Sequence, residues 1–145
     1  MLLPNQGFGC EEGWKEFEIS CYKMVVETKS WYDAEIDCVT RGAHLASIHS
    51  AKEMTFVSNT LHDQSGLHII WIGGLRDLDK RSFKWIDGSA FNYQNWGMFS
   101  PDNVDGKEYC MKFYSDPGQH YHEKWDDIDC NYNIFIDRYV CKKDK

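Results

Sequence analysis

Six cysteines in a chain of 145 residues constrain the fold more than any other feature. Cys10, Cys21 and Cys38 lie early, and Cys110, Cys130 and Cys141 crowd the last quarter. No Cys-x-x-Cys pair occurs, so neither a zinc ribbon nor a thioredoxin-type motif is supported. An even count without that spacing reads as three disulfides formed in an oxidising compartment. Six cysteines admit many pairings, and composition does not choose among them.

The length fits one domain. Hydrophobic residues make up 42% and aromatics 15%, ample for a core and the opposite of a disordered composition. Net charge is −7 without a basic stripe, which argues against nucleic acid and against anionic membranes. No apolar run is long enough to span a bilayer. Met1-Leu2-Leu3 is broken at once by Pro4, too short for a secretory h-region. The expectation is that Met1 heads a mature domain or ectodomain, with residues 1–9 as an N-terminal tail and 10–145 as the domain. No Asn-x-Ser/Thr sequon is present.

Local patterns give an α+β reading. The stretch from Cys10 through Val26 reads as a short hairpin with inward aromatics. Ser30-Trp31-Tyr32-Asp33 and Ser50-Ala51-Lys52-Glu53 each have the form of a capping box. Behind them, Trp31, Ala34 and Cys38, and then Met54, Val57 and Leu61, recur at helical spacing. Gly42 is placed to end the first helix. His44 to Ile48 reads as a connecting strand, and Ile69 to Ile72, Phe83 to Ile86, Tyr109 to Phe113 and Tyr139 to Cys141 as further strands. Ser89 to Lys107 is long and irregular but carries Trp96, Phe99 and Pro101, which favours an ordered, functional loop.

The order of these signals resembles the C-type lectin-like domain from Cys10 to Cys141. The matching pieces include Gly13-Trp14, Cys21-Tyr22, His44-Leu45-Ala46-Ser47-Ile48 and Trp71-Ile72-Gly73. They continue through Trp85-Ile86-Asp87-Gly88, Asn95-Trp96, Pro101-Asp102-Asn103, Glu108-Tyr109-Cys110, Trp125-Asp126-Asp127 and Cys130. The resemblance implies two helices packed on antiparallel strands with a long calcium-binding loop region. It implies the pairs Cys10–Cys21, Cys38–Cys141 and Cys110–Cys130. No nucleophile elbow, P-loop or His-Glu-x-x-His sequence occurs, so an enzyme is not expected.

Carried onto this sequence, the family's calcium ligands fall on Ser100-Pro101-Asp102, Glu108 and Trp125-Asp126-Asp127. Calcium takes six to eight oxygen ligands, and Asp102, Glu108, Asp126 and Asp127 are carboxylates. Pro101 is the natural place for a cis peptide. Two positions depart from the pattern. Ser100 stands where Glu or Gln is usual, and Asp126 where Asn is usual. Ionised carboxylates only accept hydrogen bonds, so Asp102, Glu108 and Asp126 leave Ser100 as the donor to a sugar hydroxyl. Asp102 resembles galactose-type members. His120 and Tyr121 precede Trp125 closely enough to stack on a sugar, with His120 or Gln119 as a further donor. The carbohydrate-binding set is then Ser100, Asp102, Glu108, Asp126, His120 and Tyr121. Asp77, Asp79, Asn103 and Glu108 are candidates for a second calcium site, and the spacing around Gly73-Gly74 departs from the family pattern by about one residue. His120-x-His122 lacks a third partner for zinc.

The function this supports is a secreted, calcium-dependent lectin domain leaning to galactose or N-acetylgalactosamine. The alternative is a protein-recognition ectodomain of the same fold with calcium in a structural role. Weak single sites favour multivalency, so a homo-oligomer is compatible with either.

Overall fold

The computed structural model describes residues 9–60, 66–78, 82–103, 106–132 and 134–145. Residues 1–8 of the expected tail, Leu61 of the second helix pattern and Asp79 lie outside the described residues.

Both helices begin where the serines place them. Helix α1 runs Trp31–Thr40, and Ser30 Oγ accepts the Asp33 N–H at 3.1 Å. Its buried face is Trp31, Ala34 and Cys38. The chain leaves it through Gly42 at φ +76°, a left-handed turn that glycine enters without a Cβ clash. Helix α2 runs Ala51–Thr60, with Ser50 Oγ accepting the Glu53 N–H at 3.0 Å. Met54 and Val57 face inward.

The strands are β1 (Lys15–Phe17), β2 (Ser20–Val25), β3 (His44–Leu45), β4 (His68–Asp77), β5 (Ser82–Trp85), β6 (Cys110–Ser115), β7 (Trp125–Ile128) and β8 (Ile136–Asp144). They join in the order β1-β2-β8-β4-β6-β7, with β3 on β8 and β5 on β4. All pairings are antiparallel except β4–β8, which is parallel, so the sheet is mixed where the resemblance implies antiparallel strands. Strand β3 is shorter than the expected 44–48. There the backbone turns to meet β4, and Ala46 O accepts the Gly73 N–H at 2.8 Å. A Cβ on Gly73 would lie 2.3 Å from Leu45 O, so only glycine permits that approach.

Alternation along the central strands divides the core between two faces. Ile70, Ile72 and Val140 pack with Met54, Val57, Trp85 and Trp125 in one cluster. Trp71, Tyr139 and Cys141 pack with Trp31, Ala34 and Cys38 in the other. Strand β6 is buried on both faces, because Cys110 and Lys112 are covered as well as Met111 and Phe113. Tyr109, expected to alternate with them, precedes the strand and is exposed. All three disulfides form as the resemblance implies: Cys10–Cys21, Cys38–Cys141 and Cys110–Cys130.

Candidate functional site

Strand β7 carries the core and the site on successive residues. Trp125 is fully buried, and Trp85, Phe91, Tyr93 and Trp96 meet its ring edge-on at centroid distances of 5.4–6.1 Å. The long loop is laced to this strand. Trp125 N–H donates to Asn95 O, and Gly97 N–H donates to Trp125 O, each at 2.9 Å. That pairing delivers Met98 to Asn103 alongside Asp126 and Asp127.

The Ser100–Pro101 peptide is cis. Ser100 Oγ–H donates to Asp126 Oδ1 at 2.8 Å. Asp127, with no solvent exposure, gathers the next two residues of the loop. Its Oδ1 accepts the Asp102 N–H at 3.0 Å and its Oδ2 the Asn103 N–H at 2.8 Å. Asn103 Oδ1 in turn accepts the Glu108 N–H at 3.1 Å. Among the described residues, the one group of three or more carboxylate, histidine or cysteine side chains close enough to share an ion is Asp102, Asp126 and Asp127. Each offers an oxygen within 4.8 Å of the others. The Glu108 carboxylate is outside that group. Of the second set of candidates, the Asn103 side chain serves the loop, and Asp79 lies outside the described residues.

Two cations that the sequence did not point to stand beside these acids. Arg76 Nη2 lies 2.8 Å from Asp127 Oδ2, and the Lys112 ammonium lies 3.8 Å from Asp126 Oδ2. Lys112 is hidden in the sequence because its neighbours Met111 and Phe113 advertise a strand whose other face should meet solvent. Burial pulls the Lys112 ammonium below its ordinary range, against the nearby Asp126, Glu108 and Asp127 charges. Burial pushes the Asp127 carboxyl up, and the Asp126 charge adds to it, against the N–H groups of Asp102 and Asn103. The Tyr114 phenol is also raised, by burial first and then by Asp126, whose Oδ2 accepts its O–H at 3.2 Å.

Asp102 and Asp126 open onto a cavity of about 480 Å³. Ser100, Tyr114, His120, Tyr121 and Lys124 line it as well. The Tyr121 ring stands edge-on between Tyr114, at 5.6 Å, and His120, at 5.3 Å. The structure thus brings Ser100, Asp102, Asp126, His120 and Tyr121 to one cavity, while Gln119 and Glu108 are not in its lining. Met98 and Phe99 form its outer lip and are 79% and 87% exposed.

A hard cation fits this donor chemistry in part. Asp102 and Asp126 line the cavity and are carboxylates, the donor type calcium takes. The groups on Asp126 are the hydroxyls of Ser100 and Tyr114, which can rotate away, and the Lys112 ammonium 3.8 Å off. Asp127 fits less well, because both of its oxygens are held by backbone N–H groups and the Arg76 guanidinium, which are fixed by the fold.

The model of the Lectin C-type domain matches residues 27–143. A lectin of Pleurodeles waltl is 38% identical over 97% of this chain and 80% of its own length. The chain is also 36% identical to the versican core protein of Rattus norvegicus, but spans only 4% of that protein. Among solved structures, a calcium-independent type II antifreeze protein superposes with a TM-score of 0.80 at 26% identity, covering 97% of this chain and 98% of that one. The cow CD23 carbohydrate-recognition domain, solved in the presence of an oligosaccharide, gives 0.79 at 26% identity, covering 94% and 96%. The family is one of recognition domains without enzymatic activity. With the domain model matched over most of its length, a 38% identical lectin relative and three disulfides in the pairing expected of the family, the chain belongs to the C-type lectin domain family.

Proposed function

We propose that this chain is an extracellular, calcium-dependent carbohydrate-binding module of the galactose and N-acetylgalactosamine type, its domain running from Cys10 to Lys145. One observation carries the reading: Asp102 and Asp126 share a cavity with the rings of Tyr114, His120 and Tyr121. Carboxylates accept from sugar hydroxyls, and rings cover the apolar face of a pyranose. Calcium, when bound to Asp102 and Asp126, would supply coordination to two sugar hydroxyls. The shortage of donors left by Asp126 is met within the lining by the Lys124 ammonium and the His120 ring N–H.

The test is a glycan array probed in calcium and then in chelator. Galactose-type signal that vanishes with chelator is the expected result, and Ser100→Gln should strengthen it by adding an amide donor. A single hydrogen bond of this kind contributes about 0.5–1.5 kcal/mol, or roughly two- to ten-fold in affinity. No glycan signal in either condition would overturn the reading.

The exposed Met98 and Phe99 favour a second reading, recognition of a protein surface through the same lip. That reading expects binding to a protein to drop in Met98→Ser and Phe99→Ser while chelator has no effect.

A further inference from the structure

Arg76 touches both segments that frame the loop. Its Nη2 pairs with Asp127 Oδ2 at 2.8 Å, and the same Nη2 and Nε reach Glu108 O at 3.2 and 3.3 Å. Its guanidinium lies 4.6 Å from the centre of the Phe83 ring, and its side chain is 15% exposed. Its backbone N–H donates to Tyr109 O at 2.7 Å. One side chain therefore ties the Glu108 segment to the carboxylate that holds the N–H groups of Asp102 and Asn103.

A buried carboxylate that holds a loop needs a compensating positive charge. A divalent ion is one way to supply it. Here a guanidinium supplies it, in a fixed fork and from within the fold. The position of Arg76 follows from a bulge in β4. Trp71 pairs with Lys112 and Leu75 with Cys110, so four residue steps in β4 run against two in β6. Gly73 and Gly74 lie in that bulge, and a Cβ on Gly74 would lie 1.9 Å from Met111 Sδ. Bulges redirect the side chains that follow them, and Arg76 follows this one directly.

We propose that Arg76 is a positioning residue that acts as a built-in cation, clamping Asp127 and through it the Ser100–Asn103 turn, so that the loop stays formed without calcium. The inference rests on reading this loop as the recognition site, but its test does not. In this chain calcium then serves the ligand and not the order of the loop. It competes with Arg76 for Asp127, which weakens its binding.

Amide hydrogen exchange at Asp102 and Asn103 measures the clamp directly, with the Phe113 amide in β6 as a reference for the global fold. In chelator the wild-type loop amides should be protected, and about 1 mM calcium, near the dissociation constant of a weak extracellular site, should change their rates by less than about three-fold. Arg76→Met keeps the stem over Phe83 and removes the charge. It should speed exchange at both amides by about ten-fold or more in chelator while sparing Phe113, and calcium should restore protection. Its calcium affinity by calorimetry should tighten about ten-fold. Arg76→Lys, which keeps the charge without the fork, should fall between the two.

Loop amides of the wild type that exchange freely in chelator would overturn the proposal, whatever the variants do. Unchanged protection in Arg76→Met would also overturn it. Lost protection that calcium does not restore would uphold the clamp and remove the calcium reading instead. A blank glycan array leaves the exchange result standing.

Discussion

Glu53 begins as half of a capping motif and ends as a buried junction. Its Oε1 accepts the His49 N–H at 2.7 Å, and its Oε2 takes Lys142 Nζ at 2.6 Å together with the Tyr22 hydroxyl. Removing one partner of a buried ion pair costs about 3–5 kcal/mol, because the other charge is left uncompensated. Glu53→Ala should therefore lose about that much stability in urea unfolding, with Glu53→Gln losing less. An equal loss in both would place the effect on the charge alone. The serine and the glutamate of the cap are legible in the sequence, since they are three residues apart. Lys142 is not, since it lies 89 residues away and only the strand order brings it there. Asp37 follows the same logic with a pH signature. Burial works to raise its carboxyl, but hydrogen bonds from Tyr139 and Arg41 outweigh this and hold it below its ordinary value. A lowered folded value means that the charged form stabilises the fold. That contribution is complete above the unfolded carboxylate range near about pH 4 and is lost as pH falls through the folded value. The melting-temperature gap between wild type and Asp37→Asn should be open at about pH 7 and narrow as pH falls from the unfolded carboxylate range through the lowered folded value. A gap that stays constant over this range would assign the loss to packing.

At the scale of elements, helices and caps are readable because their signals are local, whereas strand partners and register are not. The apolar run of Ile69 to Ile72 announces a strand, but nothing in it says that β8 runs parallel alongside. The Gly73-Gly74 pair shows in the sequence only as a spacing anomaly. In the fold it is the bulge that lets β4 pass against the Leu45 carbonyl. Gly73→Ala should cost about 1–3 kcal/mol or more, as overpacking against a fixed backbone does, measured by urea unfolding. Loss comparable to an exposed strand substitution, within about 0.5 kcal/mol, would mean that β3 gives way easily. The disulfides differ by the length of chain they close. Cys38–Cys141 spans 103 residues and Cys10–Cys21 spans 11. Chain entropy assigns them about 5 and about 3 kcal/mol, so the larger share falls on the bond that joins α1 to β8.

Across the whole molecule, Trp125-Asp126-Asp127 is the joint between core and site, and it makes the two separable by mutation. Trp125 belongs to the aromatic packing, while Asp126 faces the cavity beside Asp102. A ligand that binds only the folded state stabilises it by mass action. Calcium modules of extracellular type bind at about 10⁻⁴–10⁻³ M, so about 10 mM calcium should add roughly 1.4–2.7 kcal/mol, or a few degrees in melting temperature. The clamp at Arg76 places this chain at the weak end of that range. Asp102→Asn should erase most of the shift without lowering the melting temperature in chelator, since removing one of three crowded acids relieves repulsion there. Asp126→Asn should erase the shift and also lower the melting temperature in chelator, because the buried Lys112 ammonium loses its nearest counter-charge. Trp125→Phe should lower the melting temperature in both conditions, because its loss is one of packing. Differential scanning fluorimetry of the wild type and these variants, with and without calcium, separates the two roles. A calcium shift that survives both aspartate changes would place the ion elsewhere on this acidic chain. The carboxylates beside the cavity would then be left to their internal partners, Arg76 and Lys112, and to the ligand.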